Sequence, residues 1–231
     1  MLGKRELLEK SIKKESLFKD YDLGELAMIG EFIGHNPQFF KLICKTYHNK
    51  ECNIEYKANI GSSVDITFDY KQDKVTINRD KIEIQYNILT FLQFMFLIDT
   101  CFMELIPVGS VVDVDLDYTS TSTRAMFETG NHGTLVFIND RKVSLGTGVN
   151  QFIIDYVGTI WPFGSVNTTN PIYLSNAMIK NIVHKGMTNE LEQQVSLRLN
   201  LDIIDKKKKS IAYLSDEEIN KLKNKVDQIK K

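Results

Sequence analysis

The sequence predicts an α+β protein: N-terminal helices and a β-meander, then a small antiparallel β-sheet or half-barrel domain, then C-terminal helices. Three observations carry this reading. Apolar residues recur at three- and four-residue steps up to residue 48 and again from 189 onward. Between 64 and 86 they alternate with polar residues. After Pro107 they return in short runs punctuated by Gly and Asn. These shifts divide the chain into an N-terminal region 1–105, an antiparallel β domain 106–188 and C-terminal helices 189–231.

The first helix spans 4–18, with Leu7, Leu8, Ile12 and Leu17 on one broad face. A second runs over 22–33 and is closed by Gly34. Asn36 is placed to cap a third helix, 37–48, and Pro37 takes its first position, where a missing N–H does no harm. Val64, Ile66, Phe68 and Tyr70, then Val75 and Ile77, then Ile82, Ile84 and Tyr86 alternate, with turns at KQDK and NRDK. That pattern is a three-stranded antiparallel meander with one apolar face. Residues 88–106, ILTFLQFMFLIDTCFMELI, are long enough to meet the roughly 18-residue criterion for a membrane span. Asp99 and Glu104 oppose insertion, and Thr90, Gln93, Thr100 and Glu104 fall at helical spacing as a narrow wet stripe. The expectation is a helix in a soluble fold, serving as central core or as a docking surface around Phe94 and Leu97.

The second half opens on the strand SVVDVDLDY. Short strands are expected at AMFETG, TLVFIND, RKVSLG, QFIIDYVGTIWPFG and NPIYLS, with NHG as a tight turn. NAMIKNIVHKG fits a short helix or a strand. A helix over 189–201 follows, then a solvated KKKK linker at 206–209. Ser215 and Glu218 form a capping box for a last helix with Ile219, Leu222, Val226 and Ile229 on one stripe. That helix folds back on the domain or pairs with a foreign helix.

Composition bounds the function. Of 231 residues, 42% are hydrophobic and 26% charged, the mix of a globular protein. Lys plus Arg is 29 against 30 Asp plus Glu, so the basic excess of a nucleic-acid binder is missing. Three scattered cysteines, Cys44, Cys52 and Cys101, point away from a disulfide framework and toward a reducing compartment. The charged N-terminus lacks an apolar signal core, so a cytoplasmic location is expected.

No catalytic constellation, cofactor motif or metal-ligand spacing stands out, and no enzyme is expected. His35, His48, His132 and His184 form neither HExxH nor a Cys/His zinc pair. Cys44 and His48 are four apart on a helix, but two ligands do not make a metal site. Asp113, Asp115 and Asp117 alternate on one strand and so share a face, which reads as solvated acid rather than calcium ligands, since calcium needs a loop and more oxygens. A hydrolase assembled from distant residues would need a deep pocket lined by His132 and these aspartates. Ser11 with Lys14 matches SxxK by chance on a charged helix, and NTT at 167–169 matters as a glycosylation acceptor only outside the cytoplasm. Trp161, Pro162 and Phe163 beside Gly164 make an aromatic cluster at a strand end. Trp is enriched among interface anchors and is also common in cores, so both roles stay open.

Three phrases in the second half bring a family into view. Ile106, Pro107, Val108, Gly109, Ser110, Val111 and Val112 match an opening "LPIGSVV" phrase. Asp155, Tyr156, Val157, Gly158, Trp161, Pro162, Phe163 and Gly164 match a central "DYxGxxYPEG" phrase. Tyr173, Leu174, Asn176, Ile179, Ile182, Val183 and Gly186 match a closing phrase. Over about residues 104–195 the chain resembles domain of unknown function family 4176 (DUF4176). Trp161 stands where the family has Tyr, Phe163 stands where it has Glu, and 119–150 is longer and more polar. Such proteins are typically encoded in Firmicutes beside type VII secretion genes and LXG toxins. The resemblance implies a cytoplasmic, non-catalytic chaperone or targeting adaptor that binds an LXG-type toxin, with small helical secretion factors as further partners and no membrane insertion. The contact residues expected are Trp161, Phe163, Phe94 and Leu97. The alternative is an immunity protein that binds and neutralises the toxin domain.

Overall fold

The computed structural model describes residues 3–57, 63–119, 121–128, 133–145, 152–165 and 171–214. The chain divides into two compact units: the described residues within Met1–Met103 and Tyr213–Lys231, and those of Glu104–Ala212. The architecture is α+β, and neither sheet closes into a barrel. The capping box at Ser215 and the helix beyond it lie outside the described residues, as do His132 and the NTT triplet.

The N-terminal unit opens with α1 (Lys4–Lys14), a 3-10 turn at Ser16–Phe18, α2 (Leu23–Gly34) and α3 (Pro37–His48). The Asp22 side chain caps α2 by accepting from the Glu25 N–H at 2.8 Å. Two expectations at the next joint change. Gly34 stays helical, and its role is steric: a Cβ there would overlap the Phe102 ring. Asn36 does not cap α3 with its side chain. Its amide instead donates to the Phe32 carbonyl at 2.6 Å, and its oxygen accepts from the Tyr56 hydroxyl at 3.3 Å.

A strand absent from the expectation, β1 (Asn53–Tyr56), precedes β2 (Val64–Asp69), β3 (Lys74–Arg79) and β4 (Ile82–Tyr86). The four form one antiparallel sheet in the order β1-β2-β3-β4. Its register stacks Ile54 on Ile66, Ile66 on Ile77, and Ile77 on Ile84, so one face is continuously apolar. The turns fall where KQDK and NRDK place them, with Asp73 and Asp80 in the left-handed region.

α4 (Ile88–Phe102) lies against α1 and α2 and against β3 and β4. Phe91 meets the Phe68 ring edge-on at 5.4 Å, and Phe94 stacks on Tyr86 at 5.7 Å. The expected wet stripe holds only in part: Gln93 is half-buried, Thr90 and Thr100 are buried, and Glu104 lies beyond the helix. Thr100 and the neighbouring buried Asp99 each have a partner within the unit. The Thr100 hydroxyl donates to the Phe96 carbonyl at 2.9 Å, and Tyr213 donates to Asp99 at 2.9 Å. Local satisfaction of this kind lets polar atoms sit in a core without a solvent face. No helix among the described residues is long and apolar enough to cross a membrane.

The C-terminal unit is built on a second sheet. Its strands are β5 (Val111–Val114), β6 (Leu135–Leu145), β7 (Phe152–Ile160), β8 (Ile172–Leu174), β9 (Ile179–His184) and β10 (Lys209–Ser210). The order is β10-β7-β6-β5-β9, with β8 also on β7. Most pairings are antiparallel; β10 runs parallel to β7 at Phe152 and Ile153. The segments TLVFIND and RKVSLG are one long strand, interrupted by a bulge between Ile138 and Asp140. AMFETG is not a strand: Thr121–Glu128 forms α5, and Phe127 is buried in this unit's core. The KKKK run is a turn whose last lysine begins β10.

α6 (Glu190–Asp205) is capped by Asn189, which accepts from the Glu192 N–H at 2.9 Å. A bidentate pair fixes its inner side: Arg141 donates to both Glu192 oxygens at 2.5 and 2.7 Å, and to Ser196 at 3.0 Å. Burial pushes the Glu192 carboxyl up, but the hydrogen bonds from Arg141 and Ser196 and the Arg141 charge outweigh it and hold it below the ordinary range. A depressed carboxylate gives stability that is present above its unfolded value and is lost as pH falls through its folded value. The stability difference between the parent and Glu192→Gln is therefore expected to shrink as pH drops below the ordinary glutamate range. Urea unfolding across that interval checks it.

Candidate protein-binding surface

The three sequence phrases meet in space inside the C-terminal unit. Tyr156 is fully buried, and its hydroxyl joins all three. It accepts from the Ile106 N–H at 3.2 Å and donates to Asn176 at 2.7 Å. The second junction is backbone on backbone. Gly109 sits at φ +86°, and Gly186 packs so closely on Val108–Ser110 that a Cβ would strike three backbone atoms. The Ser110 hydroxyl closes this clasp, donating to the Pro107 carbonyl at 2.7 Å and accepting from the Gly186 N–H at 2.9 Å. Gly158 is the third close approach, where a Cβ would meet Val136 and the Phe137 carbonyl. Beside it, Asp155 is buried and accepts from the Lys142 ammonium at 3.0 Å. Each of these residues holds the fold.

The central phrase ends differently. β7 stops at Ile160, and Trp161–Gly164 forms a turn. The Trp161 N–H donates to the Leu135 carbonyl at 3.0 Å, while the Phe163 and Gly164 N–H groups donate to the Ile160 carbonyl at 3.0 and 3.2 Å. Gly164 adopts φ +64°, a conformation that costs other residues strain. The backbone is thus pinned while both aromatic side chains point outward: Trp161 and Phe163 are each 46% exposed. Of the two roles open for Trp161, the unit's core does not use it. Tyr173, 51% exposed, adds a third ring. It pairs with Val157 and so lies on the sheet face opposite the core residues Tyr156 and Ile160.

Thirteen large hydrophobic side chains are exposed among the described residues. Three, Leu17, Met28 and Leu42, belong to the N-terminal unit, and the other ten fall between residues 108 and 195.

Residues 105–195 match the family model described as Domain of unknown function (DUF4176). Neither the comparison with curated proteins nor that with solved structures finds a match. The matched segment therefore contains the three-phrase junction, the Trp161 turn and all ten exposed apolar residues outside the N-terminal unit.

The other sequence-predicted residues lie elsewhere in the molecule. Phe94 is fully buried and Leu97 nearly so, both in the N-terminal unit's core, which removes them from a docking surface. The reason is that α4 is packed against helices and against strands, so no face of its middle is left over. The three aspartates do not share a strand face, because β5 ends at Val114. Asp113 accepts from the Thr134 hydroxyl, and Asp115 caps a 3-10 turn by accepting from the Asp117 N–H at 3.1 Å. Ser11 donates to the Leu7 carbonyl at 2.7 Å, a helical back-bond rather than a catalytic contact. Burial pushes the Cys101 thiol up to about 12, far from a reactive thiolate. Among the described residues, no three His, Cys, Asp or Glu side chains gather as a metal site. The N-terminal unit carries an open groove of about 550 Å³ lined by Lys13, Lys14, Phe18, Lys19 and Tyr21.

Sequence reasoning missed Tyr173 as a surface residue. The signal was present: Ile172 and Leu174 flank it in a period-two run, which places Tyr173 on the opposite face.

Proposed function

We propose that this chain is a non-catalytic binding protein, a chaperone or targeting adaptor that engages an LXG-type toxin in the cytoplasm before export through a type VII secretion system. The observation that supports it best is the Trp161–Gly164 turn. It presents two aromatic side chains to solvent on a backbone held by three hydrogen bonds. Aromatic anchors on a preorganised backbone bind at low entropic cost. In this reading Trp161 and Phe163 insert into apolar surface on the toxin, keep it from water, and present the complex to the secretion machinery.

Co-expression with the neighbouring toxin, split into N- and C-terminal halves, tests the proposal by pull-down. The N-terminal half is expected to be retained and made more soluble. The double variant Trp161→Ala/Phe163→Ala is expected to weaken retention by about 2 kcal/mol or more, roughly thirtyfold. Its own stability should stay within about 1 kcal/mol of the parent, because both side chains are exposed. Retention of the C-terminal half alone, with rescue from toxicity, would make the chain an immunity protein instead.

A further inference from the structure

α3 keeps one face in the N-terminal unit's core and leaves the other outside. Phe39, Ile43 and Thr46 are buried on the inner side. Gln38, Lys41, Lys45 and His48 recur at three- and four-residue steps on the opposite side, all of them exposed or half-buried. Leu42 borders this basic row and is 44% exposed. The described chain ends close by. Tyr213 donates to Asp99 at 2.9 Å, its ring meets Phe96 at 5.8 Å, and Leu214 is buried in the same unit. Further along α4, Phe102 meets the His35 ring edge-on at 5.1 Å, and His35 stands just before α3, which starts at Pro37. About one turn of α4, from Asp99 to Phe102, therefore separates the end of the described chain from the joint that leads into α3.

We propose that residues 215–231, which lie outside the described residues, dock on this outer face of α3 as the amphipathic helix that their sequence predicts. The sequence fits that segment to that face in two ways. Ile219, Leu222, Val226 and Ile229 form one apolar stripe, which covers Leu42. Asp216 and Glu218 flank the first turn of the stripe on either side, and the row of Lys41 and Lys45 supplies the opposite charge. Length agrees as well: as a helix, 215–230 spans about 24 Å, and the 12 residues of α3 span about 18 Å. The tether favours the chain's own segment over a foreign helix, because a short connection holds it at an effective concentration of about millimolar. Any helical partner of this face then competes with the tail. This inference uses the N-terminal unit alone and does not depend on the toxin reading.

Hydrogen–deuterium exchange of the full chain, read by mass spectrometry over 215–231, tests it. The amides of 219–230 should be protected, and to the same degree at low and high protein concentration. Leu42→Glu should raise their exchange by about tenfold or more, while β2, β3 and β4 exchange as in the parent. Lys41→Glu should raise it as well, and the exchanged pair Lys41→Glu/Glu218→Lys should restore the parent rate. Free exchange over 219–230 in the parent would overturn the proposal, as would undiminished protection in Leu42→Glu or no recovery in the exchanged pair. Protection that grows with protein concentration would assign the segment to a second copy and overturn it too.

Discussion

Asp155→Ala is expected to destabilise the C-terminal unit by about 3–5 kcal/mol, the cost of removing one partner from a buried ion pair. Lys142 and Asp155 face each other across β6 and β7, with side chains only 3% and 0% exposed. Lys142 also holds φ +49°, so its backbone is committed to presenting the ammonium inward. Losing the carboxylate leaves a desolvated charge with its closest counter-ion gone. The double variant Lys142→Met/Asp155→Leu should recover most of the loss, because a well-packed apolar pair of similar volume is often neutral or better. Urea unfolding followed by far-ultraviolet dichroism measures both. A loss below about 1 kcal/mol for Asp155→Ala would mean that water reaches the pair.

Gly186→Ala should be nearly as damaging. A methyl group at this position meets the Val108 carbonyl, the Ser110 nitrogen at 3.0 Å and the Gly109 carbonyl carbon at 3.1 Å. All three are backbone atoms, so no side chain can swing away to make room. Overpacking of this kind costs about 1–3 kcal/mol, at the upper end where the neighbours cannot move. The change also strains the bond between the Gly186 N–H and Ser110. Because the clasp joins the first and last of the three phrases, the expected signature is loss of protection from hydrogen exchange at Val111 and His184, which pair across β5 and β9. Exchange rates like those of the parent would show that the clasp does not hold these strands together.

What the sequence made legible follows from how local the governing physics is. α3 was readable to the residue because Pro37 fixes its start and the apolar spacing persists through about three turns. The meander was readable because each strand alternates cleanly and each turn carries Asp and Lys. β1 was missed because four residues, NIEY, hold too few apolar positions to show a period; only pairing with β2 makes them a strand. α5 was misread because Thr and Phe favour strands in isolation, while burial of Phe127 against the core decides for the helix. Asn36 and Gly34 fit local capping rules, yet other partners claim them: the Phe32 carbonyl one turn back and Tyr56 in one case, Phe102 in the other.

The surface was legible in part. An aromatic pair before a glycine signalled Trp161 and Phe163, and both are exposed. Phe94 and Leu97 were equally apolar, but a strongly apolar helix is the preferred core of a mixed unit, and composition alone does not tell core from interface. The three family phrases were visible as text, whereas their purpose, a Tyr156 hydroxyl and two glycines binding distant segments together, is a property of the fold alone.

Trp161 is the chain's one tryptophan, so its fluorescence reports on the proposed contact without labelling. The deciding measurement is its emission during titration with the toxin's N-terminal region, with calorimetry in parallel. A blue shift that saturates at the calorimetric stoichiometry is the predicted result, because the half-exposed indole leaves water on binding. Calorimetric binding with an unmoved emission maximum would contradict the assignment of the Trp161 turn, and no heat at all would contradict the toxin reading itself.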